Sequence, residues 1–351
     1  MMRRPSSPFV LTRQRGVTLV ELMIALTLGA LVVLAATAMV VSSRSTYRSQ
    51  DENTRLAESA RFGLELGNRL VRLAGFTIWG DSTSPPPTYV PDPTWATAPN
   101  SYAMNGPNIV GSNNSKPGGA AGVNGSDSLT IRFFGAGLPG AVSPAIDREY
   151  GNVLDCGGSP VPQSTTTTSM SGAQLASAVA NAQRAFNVLY VDYDVDGEPS
   201  LFCQRQTYNA ATGLPNVALD TQVLIRGVES FQVLYGEYIP PVGQSLDDVA
   251  PINIVYRTGI GGPNPVVNWT NIRSVRIAML MRSATGARTD PDPTTAYALF
   301  GVNYPASSDP GALFDMTSLS ALEKTRVRRV VETTVFVRNR ESQWTAAQFN
   351  Y

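Results

Sequence analysis

Residues 17–41 read VTLVELMIALTLGALVVLAATAMVV, an apolar run with a single charge, Glu21. At about 1.5 Å per residue this is roughly 37 Å of helix, enough to cross a hydrocarbon layer of about 30 Å. Arg3, Arg4, Arg13 and Arg15 precede it without an acid. The positive-inside rule therefore keeps residues 1–16 in the cytoplasm and sends everything after residue 41 across the membrane. An ordinary secretory signal has a shorter apolar stretch followed by a small-residue cleavage site. Here the small residue, Gly16, stands before the run, and the run flows into more helix. A cut, if there is one, falls ahead of the apolar segment.

Glu21 is the informative exception, because a carboxylate inside a membrane span costs a few kcal/mol and needs a partner. Cleavage between Gly16 and Val17 would create one: a new α-amino group one helical turn from Glu21, or on an adjacent copy. The residues Arg15-Gly16-Val17-Thr18-Leu19-Val20-Glu21-Leu22 closely resemble the type IV prepilin signal. In that signal a prepilin peptidase cuts after the glycine and methylates the new N-terminus. Val17 stands where phenylalanine is usual, and the proline that bends many major pilins is missing near Ala38. The alternative is a plain signal anchor carrying a chance glutamate. The resemblance implies processing at Gly16 and Val17, N-methylation of Val17, and an assembly role for Glu21.

Helix signals continue to Ala74, with Gly75 as the stop. Glu58, Arg61, Glu65, Arg69 and Arg72 recur at spacings of three and four, while Phe62, Leu66, Leu70 and Leu73 form an apolar stripe. One helix over residues 18–74, roughly 85 Å if unbroken, follows from this. Its stripe is expected to pack on the chain's own head, the alternative being a separate partner-binding helix. The expected organisation is a leader (1–16), a transmembrane assembly helix (17–41), a periplasmic amphipathic helix (42–75) and a β-rich head with long loops (76–351).

Within the head, residues 80–126 are dense in Pro, Gly, Ser, Thr and Asn and read as loop with little regular structure. Leu129, Ile131 and Phe133 then alternate with polar residues as a half-buried strand. Residues 185–193 and 201–206 form a hairpin, and Phe231, Val233 and Tyr235 make another alternating set. Residues 272–282 and the set Val331, Thr333, Val335, Val337 supply two more strands. The fold class is α+β, a long N-terminal helix on a mainly antiparallel sheet.

Several segments in order resemble the PilW family of type IV minor pilins. They are Arg72-Leu73-Ala74-Gly75-Phe76, the run from Asp127 to Phe133, Asp155-Cys156-Gly157-Gly158 and Leu201-Phe202-Cys203-Gln204-Arg205. Residues 223–236, residues 269–282 and the closing Val335-Phe336-Val337-Arg338-Asn339 complete the series. The resemblance implies a type IV pilin-like fold and a subunit that joins other minor pilins to prime pilus assembly, ending at the fibre tip and supporting twitching motility or adhesion. The partners it implies are other minor pilins, the major pilin, prepilin peptidase and the inner-membrane assembly platform. The place it implies is the inner membrane with a periplasmic head, then the pilus. A minor pseudopilin of type II secretion, or a membrane-anchored adhesin or DNA-uptake pilin, is the alternative.

Chemistry is sparse. With no histidine in 351 residues, Ser/His/Asp triads, Cys/His dyads and His-ligated metals are excluded, and neither an enzyme activity nor a cofactor is expected. Formal charge is zero, with 27 basic and 27 acidic residues; without residues 1–16 the basic count is 23. That balance argues against nonspecific nucleic-acid binding. Asp192, Asp194 and Asp196 ahead of Gly197 read either as the opening of a calcium loop or as an Asp-Gly hairpin turn. The twelfth position of such a loop is Cys203 rather than a bidentate glutamate. Asp247 and Asp248, and Asp290 and Asp292, read as solvated turns. Lys324, Arg326, Arg328, Arg329, Arg338 and Arg340 read as the solvent face of the last strand rather than a DNA patch. Cys156 and Cys203, the only two cysteines, are expected to form a disulfide in an oxidising compartment. Closing about 47 residues would stabilise the head by roughly 4 kcal/mol in the chain-entropy model.

The N-terminal reading predicts that mature protein starts at Val17 with a methylated amine. Intact-mass analysis of the membrane form should show loss of residues 1–16 and one added methyl group; a retained leader in cells with active prepilin peptidase refutes it.

Overall fold

The computed structural model describes residues 16–76, 106–135, 153–161, 184–208, 215–239, 253–305, 309 and 311–339. Asp247, Asp248, Arg340 and the leader arginines lie outside them. The chain divides into two compact units, Met1–Asp51 and Glu52–Tyr351. The long helix α1 (Leu19–Leu73) contributes its first part to one unit and its last to the other.

In the second unit α1 buries Leu56, Ala60, Gly63, Leu66, Gly67, Leu70 and Val71, and Ala74 just past its end is buried with them. Steps of four and three through 56, 60, 63, 67, 70 and 74 keep these on one helix face. Phe62, expected on that face, is instead 52% exposed; small residues hold the seam in its place. A Cβ at Gly63 would lie 2.8 Å from Ile225 Cδ1 and 2.9 Å from Met279 Cε, and one at Gly67 3.1 Å from Ile277 Cδ1. Each helical glycine costs about 1 kcal/mol relative to alanine, which the close seat on the sheets offsets. Glu58, Arg61, Glu65, Arg69 and Arg72 are exposed as their spacing indicates. The helix ends at Gly75, whose φ of +65° suits glycine. Its amide donates to Arg132 O at 2.9 Å. The Asn339 side chain closes the helix end from outside, donating to Ala74 O at 3.0 Å.

Two antiparallel sheets meet this helix. The first runs β1 (Ile109–Ser112), β2 (Ser128–Phe133), β3 (Ala185–Tyr193), β4 (Pro199–Tyr208) and β5 (Pro215–Arg226), in chain order. The second contains β6 (Val228–Tyr238), β7 (Ile254–Arg257), β8 (Ile272–Arg282) and β11 (Arg328–Phe336), in the order β11-β8-β6-β7. A small pair, β9 (Ala296–Ala298) and β10 (Leu313–Asp315), stands apart. Gly227 switches the chain between sheets. Its φ is +77°, and a Cβ there would sit 2.6 Å from Arg282 O.

Leu129, Ile131, Phe133, Leu189, Leu201, Phe231, Val233, Ile277 and Met279 pack with the helix in one core. On the far face of the second sheet, Leu234, Ala278 and Leu280 pack under Leu299, Phe300, Phe314 and Met316. All of β6 is consequently buried. Two expectations need correction. Residues 106–126 are not plain loop, since β1 is a buried strand paired with β2 from Ile109↔Ile131 to Ser112↔Ser128. Nor is β2 half-buried: Arg132 is 2% exposed and donates to Pro107 O at 2.8 Å, because β2 lies between two strands with the 106–108 segment beside it.

The two sheets are also joined electrostatically. Glu229 on β6 takes Arg328 in a two-point pair, 2.7 and 2.9 Å, and Arg282 at 3.0 Å. Arg282 forks onto Glu198 of the β3–β4 turn at 2.8 Å for both contacts. Arg326 bonds Glu323 at 2.9 Å and Ser283 O at 2.8 Å. The expected solvent-facing basic cluster is thus corrected: Arg326 and Arg328 are buried and committed to glutamates. Arg329 and Arg338 do face solvent. Removing one member of a buried pair leaves an uncompensated charge and costs about 3–5 kcal/mol, whereas an exposed pair is worth about 0–1 kcal/mol. Urea unfolding should therefore show Glu229→Ala losing several kcal/mol. Glu332→Ala, which breaks the exposed Arg276–Glu332 pair, should lose less than about 1 kcal/mol. Equal losses overturn this account of the seam.

Candidate functional site

The predicted site residues lie in separate places. Gly16, Val17 and Thr18 precede the first turn of α1, which contains Glu21. Thr18 Oγ1 accepts from the Glu21 amide at 3.2 Å and Thr18 O from the Leu22 amide at 3.1 Å. Thr18 is thus the helix N-cap, and Thr18-x-x-Glu21 has capping-box spacing. That signal is plain in the sequence and gives Glu21 a local setting: a carboxylate in the first turn complements the positive end of the helix dipole. Beyond it, Leu19, Leu22, Ile24, Leu31 and Val33 are more than half exposed, so the span finds no cover among the described residues. Its hydroxyls are satisfied internally, Thr27 Oγ1 donating to Ile24 O at 2.9 Å and Thr37 Oγ1 to Val33 O at 3.0 Å. Internal satisfaction of this kind is what a lipid environment requires. Among the described residues this is the one helix long and apolar enough to cross a membrane.

In the head, Cys156 and Cys203 form a disulfide with Cα atoms 6.3 Å apart. A second clamp stands beside it. Asp155 Oδ1 accepts from Arg205 Nη1 at 2.7 Å, from the Gly157 amide at 2.8 Å and from the Ser159 amide at 2.9 Å. Arg205 also grips Asp220 Oδ2 through Nε at 3.0 Å and Nη2 at 2.8 Å. Burial opposes the Arg205 charge, but Asp220 and Asp155 outweigh it and hold the guanidinium above its ordinary pKa. No Cβ would fit at Gly157, which lies against that guanidinium. Arg69 of α1 reaches the same loop, donating to Asp155 O at 3.3 Å.

The residues between β3 and β4 form a tight turn with Gly197 at φ +75°. Asp192 pairs with Lys116 at 2.7 Å, Asp194 with Arg226 Nε at 3.0 Å and Asp196 with Arg226 Nη2 at 2.6 Å. The chain's own cations thus neutralise these carboxylates. Desolvation works against the Asp194 charge, yet the Glu198 and Asp196 amides and Arg226 hold its carboxyl below the usual range. Asp292 is not the solvated turn residue expected. It is buried, accepting from the Thr294 amide at 3.0 Å and Tyr297 OH at 2.8 Å and pairing with Arg288 at 3.0 Å. Burial raises the pKa of Asp292, and these contacts overcome that effect and lower it. Asp127, which the sequence singles out only as part of a segment, joins the sheets by accepting from the Asn114 amide at 2.9 Å and the Val233 amide at 2.8 Å. Burial holds its carboxyl well above the usual carboxylate range. Among the described residues no three acidic or cysteine side chains gather as metal ligands.

Comparison with known proteins adds the following. Residues 11–37 match the prokaryotic N-terminal methylation motif, and residues 188–339 match PilW, Type IV Pilus-assembly protein W. The second match runs from β3 to Asn339, the residue that closes the end of α1. A type IV-like pilin from Thermus thermophilus is 11% identical, covering 67% of this chain and 85% of its own, with a TM-score of 0.28. No curated protein sequence matches. The methylation motif falls on the capped, lipid-compatible helix and the PilW match on the head's strands, so over these two stretches the chain is similar to type IV pilins, consistent with a minor pilin-like role in pilus assembly, inner-membrane anchoring and a periplasmic head.

Proposed function

We propose that this chain is cut between Gly16 and Val17, is methylated on Val17, and joins other minor pilins in a complex that primes type IV pilus assembly and ends at the fibre tip. The observation that carries the reading is the start of α1: one carboxylate, Glu21, in the first turn of a span whose apolar side chains are exposed, with no cover among the described residues. Such a helix is at home in lipid, and equally in a bundle of like helices that replaces lipid. The difference between those settings lies in Glu21. In lipid its charge is costly; beside the freed Val17 amine of the same or an adjacent subunit it is compensated. Assembly is then favoured by the same residue that makes the membrane state costly. The proposed partners are other minor pilins, the major pilin, prepilin peptidase and the inner-membrane platform.

Three variants separate the assembly role of Glu21 from its capping position. Glu21→Gln keeps a side chain suited to the capping box and removes the charge, Glu21→Ala removes both, and Thr18→Ala removes the cap and keeps the carboxylate. Membrane insertion should survive in all three. Recovery in sheared pili should fall at least ten-fold for both Glu21 variants and stay near wild type for Thr18→Ala. Wild-type recovery of Glu21→Gln defeats the pairing with the Val17 amine.

A further inference from the structure

The loop carrying Cys156 has two attachments to β4, and they differ in kind. One is the covalent bond to Cys203; the other is the contact of Asp155 with Arg205. Asp155 immediately precedes Cys156, and Arg205 lies two residues beyond Cys203, on the same face of the strand. The strand side of this second attachment is preset by the sheet: Arg205 and Asp220 are register partners on β4 and β5, and Asp220 fixes two of the guanidinium nitrogens. The third nitrogen, Nη1, is left pointing at the loop. There it meets Asp155 Oδ1 at 2.7 Å and Ser159 Oγ at 3.0 Å. Asp155 is preset as well, its Oδ1 folding the loop by accepting from the Gly157 and Ser159 amides. Gly158 at φ +80° completes the bend. None of these contacts uses sulfur.

We infer that Arg205 is a positioning residue for disulfide formation: it docks the Asp155–Ser159 turn on β4 and thereby delivers the Cys156 sulfur to Cys203. Both sulfurs end up buried, Cys156 at 4% and Cys203 at 0% exposure, so a dithiol oxidant must act before the loop is fully seated. With glutathione disulfide as that oxidant, the Cys156 thiolate attacks one of its sulfurs, forming a protein–glutathione mixed disulfide and releasing one glutathione thiolate. The Cys203 thiolate then attacks Cys156 Sγ, the S–S bond to glutathione breaks, and a second glutathione thiolate leaves. Two protein thiols are oxidised and one glutathione disulfide is reduced. The second step is intramolecular, so its rate follows the effective concentration of one sulfur at the other. A partner 47 residues away in the chain is otherwise dilute. Docking by Arg205 raises that concentration.

The test uses full-length protein in detergent, reduced, unfolded and returned to native conditions with glutathione disulfide, with acid quenching and mass analysis. Wild type should close the bridge with little mixed disulfide in view. Arg205→Met should accumulate the adduct of one glutathione and close at least ten-fold more slowly, and Arg205→Lys should recover part of the rate. An unchanged closure rate in Arg205→Met overturns the inference. Should Arg205→Met fail to fold even when oxidised, the decision passes to the Cys156→Ser, Cys203→Ser protein with Arg205 intact. Hydrogen exchange should show the backbone amide of residue 156, which donates to Asn187 Oδ1 on β3 at 3.3 Å, protected, which shows docking without the bridge. An unprotected amide there means that the bond itself holds the loop, and the inference is wrong.

Discussion

The head depends on how closely one helix approaches two sheets. Gly63 lies against Ile225 of the first sheet and Met279 of the second, and Gly67 against Ile277. A larger residue at either place would force these contacts apart, and overpacking of a dense core costs about 1–3 kcal/mol. The sheets are separate ladders that share no strand. The helix is what gives their inner faces a common core, so Leu129 and Ile131 of one sheet and Val233 and Ile277 of the other become buried together. Gly227 follows from the same requirement. It lets the chain leave β5 and enter β6 within a single residue, with its backbone against Arg282 O.

Three joints then secure parts that are remote in sequence. Asn339 closes the end of the helix from the last described residue of the chain. Asp155 and Cys156 hold a loop between long connections onto β4. Glu198 and Glu229 hold the start of the second sheet to Arg282 and Arg328. The three joints share a logic. Each uses directional groups at a place where apolar packing alone would leave register or docking underdetermined, and each is mostly withdrawn from solvent.

How much of this was legible in the sequence depended on periodicity. The span, the stop at Gly75, the β3–β4 hairpin and β8 each carry a repeat of apolar residues long enough to name both element and face. The expected stripe on α1 holds at Leu66, Leu70 and Leu73 and fails at Phe62, because the rest of the seam is made by Ala60, Gly63 and Gly67, which carry little hydrophobic signal. β1 was missed because Ile109 and Val110 are followed by Gly111 and Ser112 within a run of turn-forming residues. In β6 the alternation is real, yet a second layer covers the polar positions too. A sequence shows a strand's two faces but not what the chain later brings to cover them. The Thr18-x-x-Glu21 cap, by contrast, was readable by spacing alone and was obscured by the more unusual fact of a charge in a span.

Charge was the least legible property, and the reason lies in the choice of basic residue. Only Lys116 and Lys324 are lysine; every other basic residue is arginine. A planar guanidinium presents several donors in a fixed fork and can satisfy two carboxylates at once, which an ammonium does less well. Arg205 between Asp155 and Asp220, Arg226 between Asp194 and Asp196, and Arg282 between Glu198 and Glu229 all use that property. Arg205 and Arg282 each close a gap between two segments by being shared, and Arg226 ties the end of β5 to the β3–β4 turn, so a cluster that reads as a basic surface in one dimension becomes a neutral seam in three. Arg326 and Arg328, two apart, turn inward together, while Arg329 between them faces solvent. The alternation separates the interior charges from the exterior one, and the partners that make the interior ones tolerable lie at unlike distances along the chain, Glu323 three residues before Arg326 and Glu229 99 residues before Arg328.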